Sequence, residues 1–288
     1  MSCLQHTTYP PLVYRMYPSV LNMLLRIQSL LTHYQDTMIN TPSPMPISTS
    51  LDLASWTCPD IAYSVVALIQ WNASPTCATL LVAKGVLCYL SGTCDWWLEY
   101  GCAACNDPIA YSDVDWATNK QDRKSISGYA FFMFSGLVSW LSSKQKAIAL
   151  SSTEAKYMAI THAWKEALWI KLFCQTIGLP FPHPFTFLSD SDSAISMTKS
   201  NVVLNCAKHI NIRYHFIRDH ITEGTIAIHW IPTEDMTADI FIKSLARPIH
   251  FWHSQALGLS VPTTTNQITQ DNLLLSLVPN TSLSWNTL

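Results

Sequence analysis

The sequence predicts a mixed α/β fold in which one sheet carries both a hairpin meander and helical crossovers. Three observations point there. Three segments rich in aromatic and β-branched residues, Pro108 to Ala117, Ile126 to Phe134 and Leu137 to Ser143, read as consecutive strands. A long helical stretch follows from about Ser152 to Ile177 and is stopped by Gly178-Leu179-Pro180. Beyond it, short apolar strands alternate with helices, the order that parallel crossovers require. With 49% hydrophobic and 12% charged residues, the 288-residue chain has the material for a core, which excludes a disordered tail.

Taken in order, residues 1–50 end in the Pro/Ser/Thr-rich stretch NTPSPMPISTS and read as a linker. Residues 51–105 hold two apolar-periodic segments, PDIAYSVVALIQW and TCATLLVAKGVLCYL, expected as a pair of helices. Pro59 suits a first helical turn, and Ser91-Gly92-Thr93 closes the second helix. Ser135-Gly136 is a tight-turn signal that pairs the second and third strands antiparallel. After the long helix come a short strand FTFLSD ending at Asp190, a helix from Ser193, a basic helix over KHINIRYHFIRDHI, a strand TIAIHWIP, and a last helix beginning near Glu234. These elements make residues 106–259 one domain. The tail 260–288, rich in Thr, Asn, Ser and Leu, reads as poorly ordered. No internal repeat is evident.

Charge and cysteine usage narrow the function classes. From Pro108 to Gly258 there are 14 Lys/Arg against 12 Asp/Glu, and elsewhere 3 against 7, so the middle is mildly basic, too weakly to prove a nucleic-acid partner. Nine unevenly spaced cysteines argue against a disulfide framework and for a reducing compartment. Cys102-Ala103-Ala104-Cys105 is a lone CxxC without a second pair, read as two thiols in a connecting loop rather than a zinc or redox site. No basic region followed by an apolar run marks a signal peptide. The most apolar later window is broken by Asn72, Pro75 and Lys84 before it could span a bilayer. The expectation is a soluble, intracellular protein, cytoplasmic or nuclear.

The most informative residues are acidic. Asp113 lies in the first strand, Asp190 closes FTFLSD, and Asp239 lies on the last helix in TEDMTADIF. A carboxylate on a buried strand costs several kcal/mol unless it is compensated. A divalent metal would compensate it, since carboxylate oxygens and water suit Mg²⁺ and two such ions can clamp a phosphoryl displacement. Each Asp could instead cap a helix or stabilise a turn, and Asp190 and Asp192 could both cap the helix at Ser193.

Four stretches carry a resemblance: AYSDVDWATNKQDRKSISGYAFFMFSGLVSWLSSKQKAIALSSTEAKYMAI, LSDSDSAI, KHINIRYHFIRDHI and IPTEDMTADIFIKSL. They closely resemble the ribonuclease H region of copia-type LTR retrotransposon Pol polyproteins, almost continuously from Tyr111 to about Leu259 and in the family's order. Upstream, PDIAYSVVALIQW and AKGVLCYLSGT look like the segment joining reverse transcriptase to that region. The resemblance implies a ribonuclease H-like fold, a five-stranded mixed sheet with flanking helices behind a short helical segment. It also implies cleavage of the RNA strand of an RNA-DNA hybrid with two Mg²⁺ ions. By motif position Asp113, Asp190 and Asp239 match three of the metal-binding aspartates.

The fourth acidic ligand of the family comes from the long helix, where the motif reads Glu-Ala-Glu-Tyr and the second Glu is the catalytic one. This chain has Glu154-Ala155-Lys156-Tyr157. Glu154 stands three residues after Ser151, the spacing of a capping box. Lys156 is about 200° further round and heads a row with Ile160, Ala163 and Ala167 that suits packing on a sheet. A cation in the ligand position implies weakened Mg²⁺ binding and impaired hybrid cleavage. The alternatives are a non-catalytic hybrid-binding module and a functionless truncated relic.

Lys208, Arg213 and Arg218, with Tyr214 and Phe216 beside them, could contact hybrid phosphates, as could Arg123 and Lys124; a solvated basic face is the equal alternative. His229, in a strand beside Trp230, reads as structural. No Ser-His-Asp order, Gly-rich phosphate loop or HExxH is present. The chain has no Asp-Asp pair, and only the distal end of a reverse transcriptase is resembled, so polymerase activity is not expected.

Overall fold

Past Asp107 the aromatic and β-branched residues settle into extended backbone. The structure, a computed structural model, describes residues 12–14, 47–72, 74–100, 108–119, 122–179, 181, 184–199 and 216–261. Two compact units emerge, residues 100–243 with 1–12, and residues 13–99 with 244–288.

In the first unit, β3 (Ile109–Asp115), β4 (Ile126–Met133), β5 (Gly136–Lys144), β6 (Phe185–Ser189) and β7 (Ile226–Trp230) form a five-stranded sheet in the order β5-β4-β3-β6-β7. The pairs β3–β4 and β4–β5 are antiparallel, while β3–β6 and β6–β7 are parallel. A mixed five-stranded sheet with flanking helices is the ribonuclease H-like architecture that the motifs imply. The β4–β5 turn is Phe134-Ser135, both at positive φ (52° and 62°), the mirror-image turn geometry that matches strand twist. Gly136 begins β5, where an added Cβ would lie 2.4 Å from the Tyr100 ring.

Helix α4 (Ser152–Thr176) packs on the sheet through Ile160, Ala163, Trp164 and Ala167, each at most 1% exposed. The small alanines let the helix approach, and Phe131, Phe185 and Phe187 fill the space with edge-on ring contacts. Two shorter helices follow, α5 (Asp192–Lys199) and α6 (216–222).

The second unit holds α1 (Ile47–Trp56), a 3₁₀ turn (Pro59–Ile61), α2 (Ala62–Ile69), α3 (Cys77–Gly92), β2 (Trp97–Tyr100), α7 (Arg247–Ala256) and β8 (Leu259–Ser260). Thr76 starts α3 with a reciprocal capping box with Thr79, although no Glu or Gln is present. Leu98 pairs with Leu259 and Trp97 with Ser260, antiparallel. Among the described residues β2 and β8 belong to a small sheet with β1 (Leu12–Tyr14).

Several sequence expectations change. Helix α1 begins at Ile47, inside the stretch read as a linker, because Pro46 is the last proline before Pro59 and nothing between them bars a helix. No helix starts at Glu234. Thr233–Asp235 and Thr237–Phe241 are separate 3₁₀ turns, broken at Met236, and the last helix starts at Arg247 with Pro248 in its first turn. Asp239 therefore sits on a tight turn. The chain from Ser244 on groups with the helical unit rather than the sheet. Residues 15–46, the Cys102/Cys105 pair and the tail from residue 262 lie outside the described residues.

Candidate active site

Asp113 occupies the middle of β3, opposite Gly128 of β4, and is 5% exposed. Asp190 follows the last residue of the adjacent parallel strand β6. The parallel pairing thus puts the two carboxylates on neighbouring strands. Asp239 reaches the sheet differently. A Cβ at Gly128 would lie 2.5 Å from Phe241 Cβ, 2.9 Å from Ile242 Cγ2 and 3.2 Å from the Ala238 carbonyl oxygen. The bare glycine backbone is what lets the 237–241 turn close on β4 next to Asp113.

Lys156 projects from the first turns of α4 into this group. Its ammonium forms a hydrogen-bonded ion pair with Asp190 Oδ1 and lies 3.3 Å from Asp113 Oδ1. The Asp113 contact is an ion pair without hydrogen-bond geometry, so Asp113 Oδ1 is buried with no hydrogen-bond partner. Thr233 Oγ1 donates to the other Asp190 oxygen at 3.3 Å. Asp239 Oδ2 pairs with Lys243 at 2.7 Å, while Asp239 Oδ1 is buried and unpartnered. Burial pushes the Asp113 carboxyl up to about 7, against the pull of Lys156 and with Asp190 and Asp239 adding to the rise. Desolvation opposes the charge on Lys156, but Asp113 and Asp190 outweigh it and hold the lysine above its ordinary value. The amine is thus a fixed cation, not a base or nucleophile.

The ends of α4 and α5 explain why the carboxylates are left for Lys156. Ser151 Oγ accepts from the Glu154 N–H at 3.1 Å, and the Glu154 carboxylate accepts from the Leu150 N–H at 2.8 Å. This is a capping arrangement one residue wider than the expected box, and it directs Glu154 to the helix start. At α5 the cap is Ser191, whose Oγ accepts from the Ala194 N–H at 3.2 Å. Asp190 is therefore not consumed as a helix cap. Buried Gln145 ties the same corner together, donating to Ser127 Oγ at 2.7 Å and to the Ala155 carbonyl at 3.0 Å.

Two Mg²⁺ ions would need the carboxylate oxygens that the ammonium engages. Among the described residues no group of three or more His, Cys, Asp or Glu side chains could hold a metal ion. Aspartates alone suit Mg²⁺, but with Lys156 between them the residues present do not fit the two-ion centre implied by the resemblance.

Of the expected phosphate contacts, Lys208 and Arg213 lie outside the described residues. Arg123 is exposed at positive φ (55°), and Lys124 is half-buried beside it. Asp122 shapes their loop, accepting from the Lys124 N–H at 3.2 Å and pairing with Lys144 at 2.9 Å. Arg218 is half-buried on α6. His229 is exposed near the end of β7, beside Trp230. Lys243 and Gly128 were missed by sequence reasoning. Lys243 stands four residues after Asp239, and a lone glycine inside an aromatic strand is the signal that could have found Gly128.

No family model matches the chain. The chain is 36% identical over 193 residues to the retrovirus-related Pol polyprotein from transposon TNT 1-94 of Nicotiana tabacum, covering 66% of this chain and 14% of that protein. It is 34% identical over 218 residues to that from transposon RE1 of Arabidopsis thaliana, covering 75% of this chain and 15% of that protein. Secreted RxLR effector protein 161 of Plasmopara viticola is 40% identical over 133 residues, 46% of this chain and 94% of its own length. The chain thus spans about one seventh of the Pol polyproteins that it matches. Among solved structures, the N-terminal RNase H domain of a Mycobacterium tuberculosis protein aligns with a TM-score of 0.36 and 11% identity, over 53% of this chain and 99% of that one. LC11-RNase H1 in complex with an RNA/DNA hybrid aligns with a TM-score of 0.36 and 15% identity, over 47% and 94%.

Proposed function

This chain is homologous to the Pol polyproteins of copia-type retrotransposons, and we propose that it is their ribonuclease H-like domain, directed at RNA-DNA hybrids, with strand cleavage impaired by Lys156. The single observation behind the impairment is the ammonium of Lys156, ion-paired with Asp113 and Asp190. Hydrolysis on this architecture needs carboxylates free to bind divalent ions that would activate water and steady the leaving oxygen. Here the three aspartates lie on β3, after β6 and on the 237–241 turn, and Lys156 pairs with two of them and Lys243 with the third.

Support for the hybrid as ligand is the motif match over Tyr111 to Leu259 together with the exposed Arg123 loop. Backbone phosphates, not bases, would be the recognised groups, since cations such as Arg123 and Lys124 position a duplex without reading it. The test is fluorescence anisotropy of a labelled RNA-DNA hybrid with the full chain in EDTA, repeated over rising salt, beside a cleavage assay in Mg²⁺. The expected result is metal-independent binding that weakens with salt in proportion to the phosphates neutralised, with cleavage near background. Binding that requires Mg²⁺, or vigorous cleavage by the wild-type chain, would refute the reading.

A further inference from the structure

We infer that the Lys156 ammonium is the resident cation of the aspartate cluster, doing the charge-neutralising work of a divalent ion, so that the fold holds Asp113, Asp190 and Asp239 together without any metal. The inference concerns the same cluster as the proposed function and deepens it, but it rests on the ion pairs and not on hybrid recognition.

Two buried carboxylates, Asp113 and Asp239, and the half-buried Asp190 converge on one corner of the sheet, where mutual repulsion and lost hydration cost stability unless cations offset them. The cluster contains its answer covalently. Lys156 bridges Asp113 and Asp190, which are contributed by adjacent parallel strands, and Lys243 neutralises Asp239 from four residues away. With all three ionised, the three carboxylates against two ammoniums leave one net negative charge. A carboxylate at position 156 would leave three, with a single ammonium to offset four acids, and such a corner would demand a divalent ion to close. The buried Asp113 Oδ1 and Asp239 Oδ1, both without hydrogen-bond partners, are the acceptors such an ion would satisfy. The ammonium also sits on a stem anchored by a well-packed helix, since Ala155 and Tyr157 on either side are buried. It is therefore a cation that neither dissociates nor responds to chelators.

The test is thermal unfolding of the full chain and of Lys156→Glu and Lys156→Met, each in EDTA and over a Mn²⁺ titration at constant ionic strength, with bound Mn²⁺ counted by electron paramagnetic resonance. Wild type is expected to show the same Tm with and without Mn²⁺ and no bound ion attributable to the cluster. Both variants are expected to melt lower in EDTA, and Lys156→Glu to recover by about 4 °C at a tenfold excess of Mn²⁺ over its Kd. Wild type that binds Mn²⁺ and loses it on Asp190→Asn substitution would overturn the inference, and that experiment stands even if the Lys156 variants do not fold. Variants as stable as wild type in EDTA and indifferent to Mn²⁺ would overturn it as well. Hybrid binding, read separately by anisotropy, can fail while this result stands, and the reverse.

Discussion

Lys156, ion-paired with Asp113 and Asp190, sets the charge balance of the aspartate cluster. Lys156 was legible as a helix residue from the Ser151 start and as the head of an apolar row, and Ile160, Ala163 and Ala167 are indeed buried against the sheet. Its contact with Asp113 and Asp190 was not legible from spacing, because positions 113, 156 and 190 meet only through strand pairing and helix packing. The same is true of Lys243, whose role depends on a tight turn that the sequence suggested as a helix. At this scale the bridging pair has a measurable worth. Asp190→Asn removes one of the two carboxylates on the ammonium and leaves Lys156 half-paired in a largely dry corner. It is expected to destabilise the chain by about 1–3 kcal/mol, seen as a lower urea midpoint with an unchanged slope. An unchanged midpoint would mean that the ion pair contributes nothing to folding.

Elements with strong local signals follow the sequence closely. Helices α4 from Ser152 and α3 behind Thr76 start where side-chain chemistry requires, and the β4–β5 hairpin turns one residue before the Ser135-Gly136 signal, at Phe134-Ser135. The 233–241 stretch does not follow the sequence expectation, forming two 3₁₀ turns broken at Met236 in place of a helix. What fixes that stretch is Gly128, a contact far off in sequence. Gly128→Ala would drive a methyl group into Phe241 and Ile242 and push the Asp239 turn off the sheet. Overpacking of this kind costs about 1–3 kcal/mol, so the melting temperature should drop by roughly 2–10 °C. In the helical unit the corresponding fixed point is Asp60, which accepts from the Tyr89 hydroxyl at 2.5 Å and whose carbonyl oxygen lies 3.0 Å from His250 Nε2. Burial raises the Asp60 carboxyl, with Tyr89 and His250 opposing the rise. The folded state therefore binds the proton more tightly than the unfolded chain. The stability from this group is complete below the ordinary carboxyl range and is lost as pH rises through the folded value. Urea unfolding from pH 4 to 8 should show a downward slope that is shallower in Asp60→Asn, and parallel slopes would contradict the assignment.

Across the whole molecule, the mixed sheet was readable because strand composition and one 25-residue helix announce it, and the Pol motifs fixed the order of its parts. That the chain from Ser244 on groups with the helical segment was not, since the pairing of Leu98 with Leu259 joins segments 161 residues apart and leaves no local trace. Nor does composition reveal that the aspartates meet a lysine, where Pol relatives would lead one to expect an acid. Among the described residues no helix is long and apolar enough to cross a membrane. On the proposed reading Lys156 keeps the aspartate cluster from hydrolysing the hybrid, and Mg²⁺-dependent cleavage of a labelled RNA-DNA hybrid, wild type beside Lys156→Glu, is the measurement that decides it. Removing the ammonium and supplying a carboxylate should raise the rate by roughly 10²-fold or more, the scale at which single charge-placing groups act. Equal rates for the two proteins, both folded and both binding the hybrid, would contradict it.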